Sequence, residues 1–138
     1  MLVTPPLSLY VHLPWCVRKC PYCDFNSHEQ RGALQFNAYV DALIADLDFD
    51  LPLAWGRSVQ TVFFGGGTPS LFPPDAIDRF LQLASARLRF APNAEITLET
   101  NPGTVEHGPF AGYRKAGVNR LSFGVQTFDD GCLQRLGR

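Results

Sequence analysis

The sequence predicts an α/β fold built on a parallel sheet, and three observations carry that expectation. Apolar runs of strand-forming residues alternate with stretches whose apolar residues recur every three or four positions, and the alternation repeats four times. Strands separated by helices in this way pair in parallel through helical crossovers. Glycines and polar side chains gather at the carboxyl ends of the strands, where parallel α/β folds collect their ligands.

Leu7 to Leu13 (LSLYVHL) reads as the first strand, ended by Pro14, and three cysteines follow in the loop beyond it. Phe36, Tyr39, Val40, Leu43, Ile44 and Leu47 then fall on one face of a helix. Val59 to Phe64 (VQTVFF) predicts a mostly buried strand that runs straight into Gly65-Gly66-Gly67-Thr68-Pro69. A second helix opens at Pro73 or Pro74, where the fixed φ of proline suits a first turn; Asp75 follows, and Ile77, Phe80, Leu81, Ala84 and Leu88 share a face. Ala94 to Thr100 alternates as a third strand and ends in a turn at Asn101-Pro102-Gly103. A shorter helix from about Glu106 to Lys115 stops at Gly117, Val118 to Val125 supplies a fourth strand, and another helix opens at Asp129. Leu136-Gly137-Arg138 shows no cap, and four parallel strands alone would leave open edges. The chain is therefore expected to be the amino-terminal part of a longer protein.

With 138 residues, 46% of them hydrophobic, the chain can bury a core, which argues against disorder. Twelve Lys and Arg against thirteen Asp and Glu leave a net charge of −1 with no basic block. A nonspecific nucleic-acid binder concentrates cations on one face, so no nucleic-acid partner is expected. No apolar run reaches the length of a transmembrane segment, and Met1 to Leu13 lacks the basic start and long apolar centre of a signal peptide. A cytoplasmic location is the expectation.

Cys16, Cys20 and Cys23 form C-x3-C-x2-C within HLPWCVRKCPYCDF, and such crowding suits metal or redox chemistry better than disulfides. Three thiolates at this spacing can hold three irons of a cubane cluster and leave one iron without a protein ligand. An electron carrier normally supplies four ligands, and structural zinc wants a closed tetrahedron. A zinc knuckle with His12 or His28 as fourth ligand is the alternative, while Cys132, over a hundred residues on, reads as a small buried side chain. The glycine triplet either lets backbone approach a ligand closely or makes a tight turn; without a following Gly-Lys-Ser/Thr it is not a phosphate loop. Glu99, in an otherwise apolar alternating strand, needs a polar partner. Tyr10 and Tyr22 can be packing aromatics, His12 reads as a supporting residue rather than a base, and Lys19 and Asp24 are expected to be solvated.

The cysteine pattern, with an aromatic residue just before its third cysteine, resembles that of the radical S-adenosylmethionine (SAM) superfamily. Its context is Tyr10-Val-His-Leu-Pro-Trp-Cys, then GGGTPS from Gly65 to Ser70, then GVQTFDD from Gly124 to Asp130. These blocks, in order through essentially the whole chain, resemble the oxygen-independent coproporphyrinogen III oxidase-like family and, within it, the heme chaperone branch. The resemblance implies about four βα units of a partial TIM-type (β/α)6 barrel. Residues 1–138 would be the N-terminal portion of the radical SAM core domain, with the rest of the barrel and a C-terminal domain absent. It also implies a [4Fe-4S] cluster on Cys16, Cys20 and Cys23, whose open iron chelates SAM and whose electron cleaves it, the protein binding, orienting and excluding water. By the same similarity Gly66, Gly67 and Thr68 meet the methionine end of SAM and Tyr22 packs toward its adenine. Tyr10, Glu99, Gln126 and Arg138 are further cofactor contacts, Glu99 through a ribose hydroxyl; no catalytic residue is assigned.

True coproporphyrinogen dehydrogenases resemble C-x3-C-x2-C-x-C, with another cysteine where this chain has Phe25, and carry a longer extension before the motif. Both departures favour the heme chaperone branch, which implies heme as bound cargo, haemoprotein acceptors, an electron donor, a homodimer and peripheral membrane association through partners. The alternative is the oxidase, converting coproporphyrinogen III to protoporphyrinogen IX by decarboxylating two propionates. An iron–sulfur electron carrier is the third class.

Overall fold

The computed structural model describes residues 3–102 and 110–137. In chain order its elements are β1 (Leu7–Leu13), the two-residue strands β2 (Trp15–Cys16) and β3 (His28–Glu29), and helix α1 (Phe36–Ala54). Then come β4 (Ser58–Gly66), α2 (Pro74–Ser85), β5 (Arg89–Thr100), α3 (Phe110–Ala116), β6 (Arg120–Phe123) and α4 (Asp130–Leu136). The main sheet has the order β1-β4-β5-β6 and every pairing is parallel, as the alternation predicts.

Register sorts side chains to two faces. Val11, Leu13, Val59, Val62, Phe64 and Leu98 bury against Val40 and Ile44 of α1 and Ile77, Phe80, Leu81 and Ala84 of α2. The opposite face aligns Tyr10 with Phe63, Phe63 with Thr97, and Thr97 with Arg120 across the four strands. On it Tyr10 stacks on Phe63 and Arg120 pairs with Glu95 at 3.0 Å. The apolar face of the sheet is thus covered by helices, and the polar face stays open beside the strand ends.

Two contacts fix the segment after β4. Tyr113 of α3 is buried, and its hydroxyl lies 2.8 Å from the carbonyl oxygens of both Ser70 and Phe72, clamping the short 3-10 turn Pro69–Leu71 from behind. Burial pushes the Tyr113 pKa up to about 12, so the hydroxyl stays a donor. In front, Trp15 packs edge-on to Tyr39 at 4.7 Å and stacks with Phe72 at 5.4 Å, while Phe36 meets Phe72 at 5.0 Å. These rings join the cysteine loop, α1 and the turn after β4 in one aromatic cluster.

Several boundaries differ from the sequence expectation. β5 begins at Arg89 because Arg89 and Phe90 already pair with Ser58 and Val59 across a register shift before the regular ladder resumes at Glu95. β6 is shorter than Val118 to Val125, since the Asn119 side chain takes over strand bonding, accepting from Ile96 N at 2.7 Å and donating to Ala94 O at 2.9 Å. Leu88 is buried but lies beyond the end of α2. Gly103 and the helix start near Glu106 lie outside the described residues. The expectation of an uncapped end is corrected: Gly137, at φ +76°, closes α4 with its N–H on the carbonyls of Leu133 and Gln134, and Asp129 caps the other end by accepting from Cys132 N.

Candidate functional site

The loop after β1 is closed at its base by a short parallel bridge that sequence periodicity does not reveal. Trp15 pairs with His28 and Cys16 with Glu29, and the ties His28 N to Pro14 O (2.7 Å) and Gln30 N to Cys16 O (2.8 Å) complete it. Cys16 is buried at that base; Cys20 and Cys23 are half-buried above it, joined by the turn bond Cys23 N to Cys20 O. Lys19 is exposed, as the sequence reading expects, and its Nζ also donates to the carbonyls of Phe25 (3.3 Å) and Ser27 (3.2 Å), stapling the loop across itself. His12 holds the same loop to β1. Its Nε2 lies 2.8 Å from the Asn26 carbonyl, which only accepts, so that nitrogen carries the proton and Nδ1 is left to accept from the Tyr10 hydroxyl at 3.0 Å.

The glycine triplet continues the β1–β4 ladder into this loop and does not form a free-standing turn. Gly67 N donates to Leu13 O and Thr68 N to Trp15 O, both at 2.8 Å. A Cβ on Gly67 would lie 2.6 Å from Trp15 O and 2.7 Å from Pro14 O, and Gly66 sits at φ +119°, so both positions exclude other residues.

Between the loop and the strand ends lies a cleft of about 360 Å³, within the range of small-molecule sites. The loop contributes Cys16, Cys20, Tyr22, Cys23 and Phe25; β4 and its end contribute Gly66, Gly67 and Thr68; β5 and its end contribute Glu99, Thr100 and Asn101; and Gln126 follows β6. Gln126 is the non-glycine residue at positive φ (66°) among the described residues. Tyr10 lies beside the cleft on the open sheet face, close enough to Glu99 for the carboxylate charge to act on it. Arg138 lies outside the described residues. Sequence reading did not single out Ser27, a buried hydroxyl 3.7 Å from Cys23 Sγ, and took Asn101 only as a turn residue, although its Nδ2 donates to Thr68 Oγ1 at 3.2 Å. A polar residue four positions past Cys23 is the signal that could have found Ser27.

Burial pushes the Cys16 thiol up; hydrogen bonds from Thr68 and Ser27 oppose this, and the neighbouring Cys23 and Cys20 add to it. The three thiols therefore feel one another across the loop. Both ring nitrogens of His12 are engaged, and His28 Nε2 lies 3.0 Å from Asn26 Oδ1. Among the described residues no group of three or more His, Cys, Asp or Glu is placed to hold a single metal ion.

Desolvation raises the Glu99 pKa above its ordinary value of 4.5, with a hydrogen bond from the Gly66 backbone working against it. The sign for stability follows from that direction. A carboxyl whose folded value is raised favours folding below its ordinary range and loses that contribution as pH rises through the raised value. Glu99→Gln keeps an acceptor for Gly66 and carries no charge, so without cofactor it is expected to match wild type at pH 4 and exceed it at pH 8. Denaturant midpoints at the two pH values check this; a less stable variant at pH 8 contradicts it.

Parallel βα units with a cysteine-bearing first loop and a cleft at the strand ends define an α/β protein with a candidate ligand site after its first strand. Residues 10–138 match the radical SAM superfamily, and the chain belongs to that superfamily. It is 56% identical over 138 residues to the heme chaperone HemW of Escherichia coli (strain K12), covering 100% of this chain and 36% of that protein. To the radical S-adenosyl methionine domain-containing protein 1, mitochondrial, of Bos taurus it is 41% identical over 131 residues, covering 95% and 29%. Among solved structures it is similar to the coproporphyrinogen III oxidase HemN from Escherichia coli, a radical SAM enzyme, with a TM-score of 0.86 and 36% identity over 96% of this chain and 31% of that one. The four strands and their helices thus match part of a radical SAM (β/α)6-like barrel. The chain spans about a third of the length of the curated relatives it matches. Among the described residues no helix is long and apolar enough to cross a membrane.

Proposed function

We propose that this chain is the N-terminal portion of the radical SAM core domain of a cytoplasmic heme chaperone, binding a [4Fe-4S] cluster and SAM in the cleft after the first strand. The observation that supports it most is the gathering of Cys16, Cys20 and Cys23 with the ends of β4 and β5 around one cavity. The donor set fits the group: a cube face takes one thiolate per iron, so its three sulfurs surround a space and need not converge on one ion. Opposite them Gly66, Gly67 and Thr68 at the end of β4 line the cleft where the methionine end of SAM would sit. The half-buried Glu99 carboxylate, already accepting from Gly66, suits a ribose hydroxyl, with Tyr22 toward the adenine. Tyr10 and Gln126 complete the contacts, and Arg138 is added on the resemblance alone. When bound and reduced, the cluster supplies one electron for reductive cleavage of SAM. The chain's own part is to hold the sulfurs through the β2–β3 bridge, orient SAM and shield it from water.

The chaperone reading is supported by the 56% identity to HemW and by Phe25, which lines the cleft where the dehydrogenase pattern has a further cysteine. Heme as cargo, haemoprotein acceptors, an electron donor, a homodimer and association with membranes through partners belong to the same reading. The similarity to the HemN structure favours the oxidase as the second reading. Incubating the full-length protein anaerobically with reductant, SAM and either heme or coproporphyrinogen III separates the two. Stoichiometric heme binding without protoporphyrinogen IX is expected; repeated turnover to protoporphyrinogen IX overturns the chaperone reading.

A further inference from the structure

Two phenylalanines and an arginine line the cleft without a part in the SAM assignment. Phe25 of the cysteine loop is 66% exposed and Phe123, at the end of β6, is 48% exposed, yet both line the cavity. Phe110 of α3 braces the Phe123 ring edge-on at 6.0 Å. Large aromatic rings left in water on two walls of one cleft mark a binding surface, and such rings favour a flat partner. Arg18, also exposed, lines the same cleft. Its guanidinium lies against Gly137, the residue that closes α4: a Cβ there would lie 2.9 Å from Arg18 Nη1 and 3.2 Å from its Cζ. The side chain therefore reaches from the cysteine loop to the end of α4. Among the described residues the ion pairs are Arg79–Asp41, Arg87–Asp48 and Arg120–Glu95, so Arg18 has no carboxylate of the chain to neutralise it. A planar, permanently charged guanidinium in that position is matched to a carboxylate on a ligand.

We propose that Phe25, Phe123 and Arg18 form a porphyrin-binding surface at the mouth of the cleft, the two rings against the macrocycle and Arg18 on a propionate. The inference rests on the chaperone reading above and names where its heme docks on this chain. The inner wall, with Glu99 and Gln126 beside the glycines, is polar and suits a zwitterionic cofactor. The mouth instead pairs exposed aromatic carbon with a cation, the complement of a flat apolar ring that carries carboxylates at its edge. Because both rings are exposed, the porphyrin lies across the opening and leaves the space over the cysteines to SAM.

The test titrates the reconstituted full-length protein anaerobically with zinc protoporphyrin IX, followed by its fluorescence, and with the dimethyl ester of the same porphyrin, which lacks the carboxylate charges. Phe25→Ala and Phe123→Ala are each expected to raise the Kd for both porphyrins roughly tenfold. Arg18→Gln is expected to raise it about fivefold for the diacid and to leave the ester unchanged. Both phenylalanines are exposed, so alanine there removes no core packing, and Phe25→Trp, which keeps an aromatic face, should bind like wild type. Wild-type affinity for zinc protoporphyrin IX in all three weakening variants overturns the proposal, as does equal weakening of diacid and ester by Arg18→Gln. A wild-type protein that binds neither heme nor zinc protoporphyrin IX overturns the chaperone reading instead.

Discussion

Cys20→Ser is expected to abolish most of the iron and sulfide taken up on anaerobic reconstitution. Cys20 stands midway in the loop, half-buried on the cleft wall, and its carbonyl anchors the turn that presents Cys23. Serine keeps that backbone turn but replaces a soft, readily ionised sulfur with a hard hydroxyl that iron in a sulfide cluster binds poorly. Two thiolates then remain where three are needed. The loop itself should survive, because the β2–β3 bridge, the His12 bond to Asn26 and the Lys19 staple are all independent of Cys20. The variant is therefore expected to show wild-type circular dichroism alongside lost iron. Cys132→Ser is the control: its sulfur sits on α4, accepting from Arg135 Nη2 at 3.0 Å, and iron content should not change. Iron bound by Cys20→Ser at the wild-type level would refute the ligand assignment.

Gly67→Ala is expected to damage both stability and cofactor binding. The added methyl would sit within 2.8 Å of Pro14 O, Pro14 C and Trp15 O, all of them backbone atoms that cannot rotate away. Relief requires the end of β1 to move from the end of β4, breaking the Gly67–Leu13 and Thr68–Trp15 bonds that hold the cysteine loop over the cleft. Overpacking of this kind costs about 1–3 kcal/mol. A lowered denaturant midpoint and loss of the SAM-induced change in the electron paramagnetic resonance spectrum are the readouts. Gly65→Ala gives the contrast, since its methyl would meet the ends of the Phe63, Tyr10 and Glu99 side chains, which can shift. Equal midpoints for Gly67→Ala and wild type would show that the close approach is not needed.

Much of the scaffold was legible because it depends on local periodicity. β1 spans Leu7–Leu13 and α1 begins at Phe36, both as read from the chain, since alternation and three-to-four spacing mark which side chains must be buried. The cysteine spacing and the glycine triplet likewise announce themselves along a few residues. β5 starts earlier than its alternation suggests because its first residues pair with β4 across an irregular register. β2 and β3, two residues each, carry no period at all.

The sequence by itself determined the parallel βα order, the three-cysteine loop and the family to which they point, because each is written in neighbouring residues. Only the tertiary structure decided that Lys19 reaches back to two carbonyls of its own loop, that Asn119 extends a strand with its side chain, that Ser27 meets Cys23 and that Asn101 meets Thr68. Thr68 and Asn101 are 33 positions apart, and Ser27 belongs to a different loop from either. Hydrogen bonds between such groups follow from strand register and burial, which bring distant polar atoms together where water cannot serve them and a protein partner must.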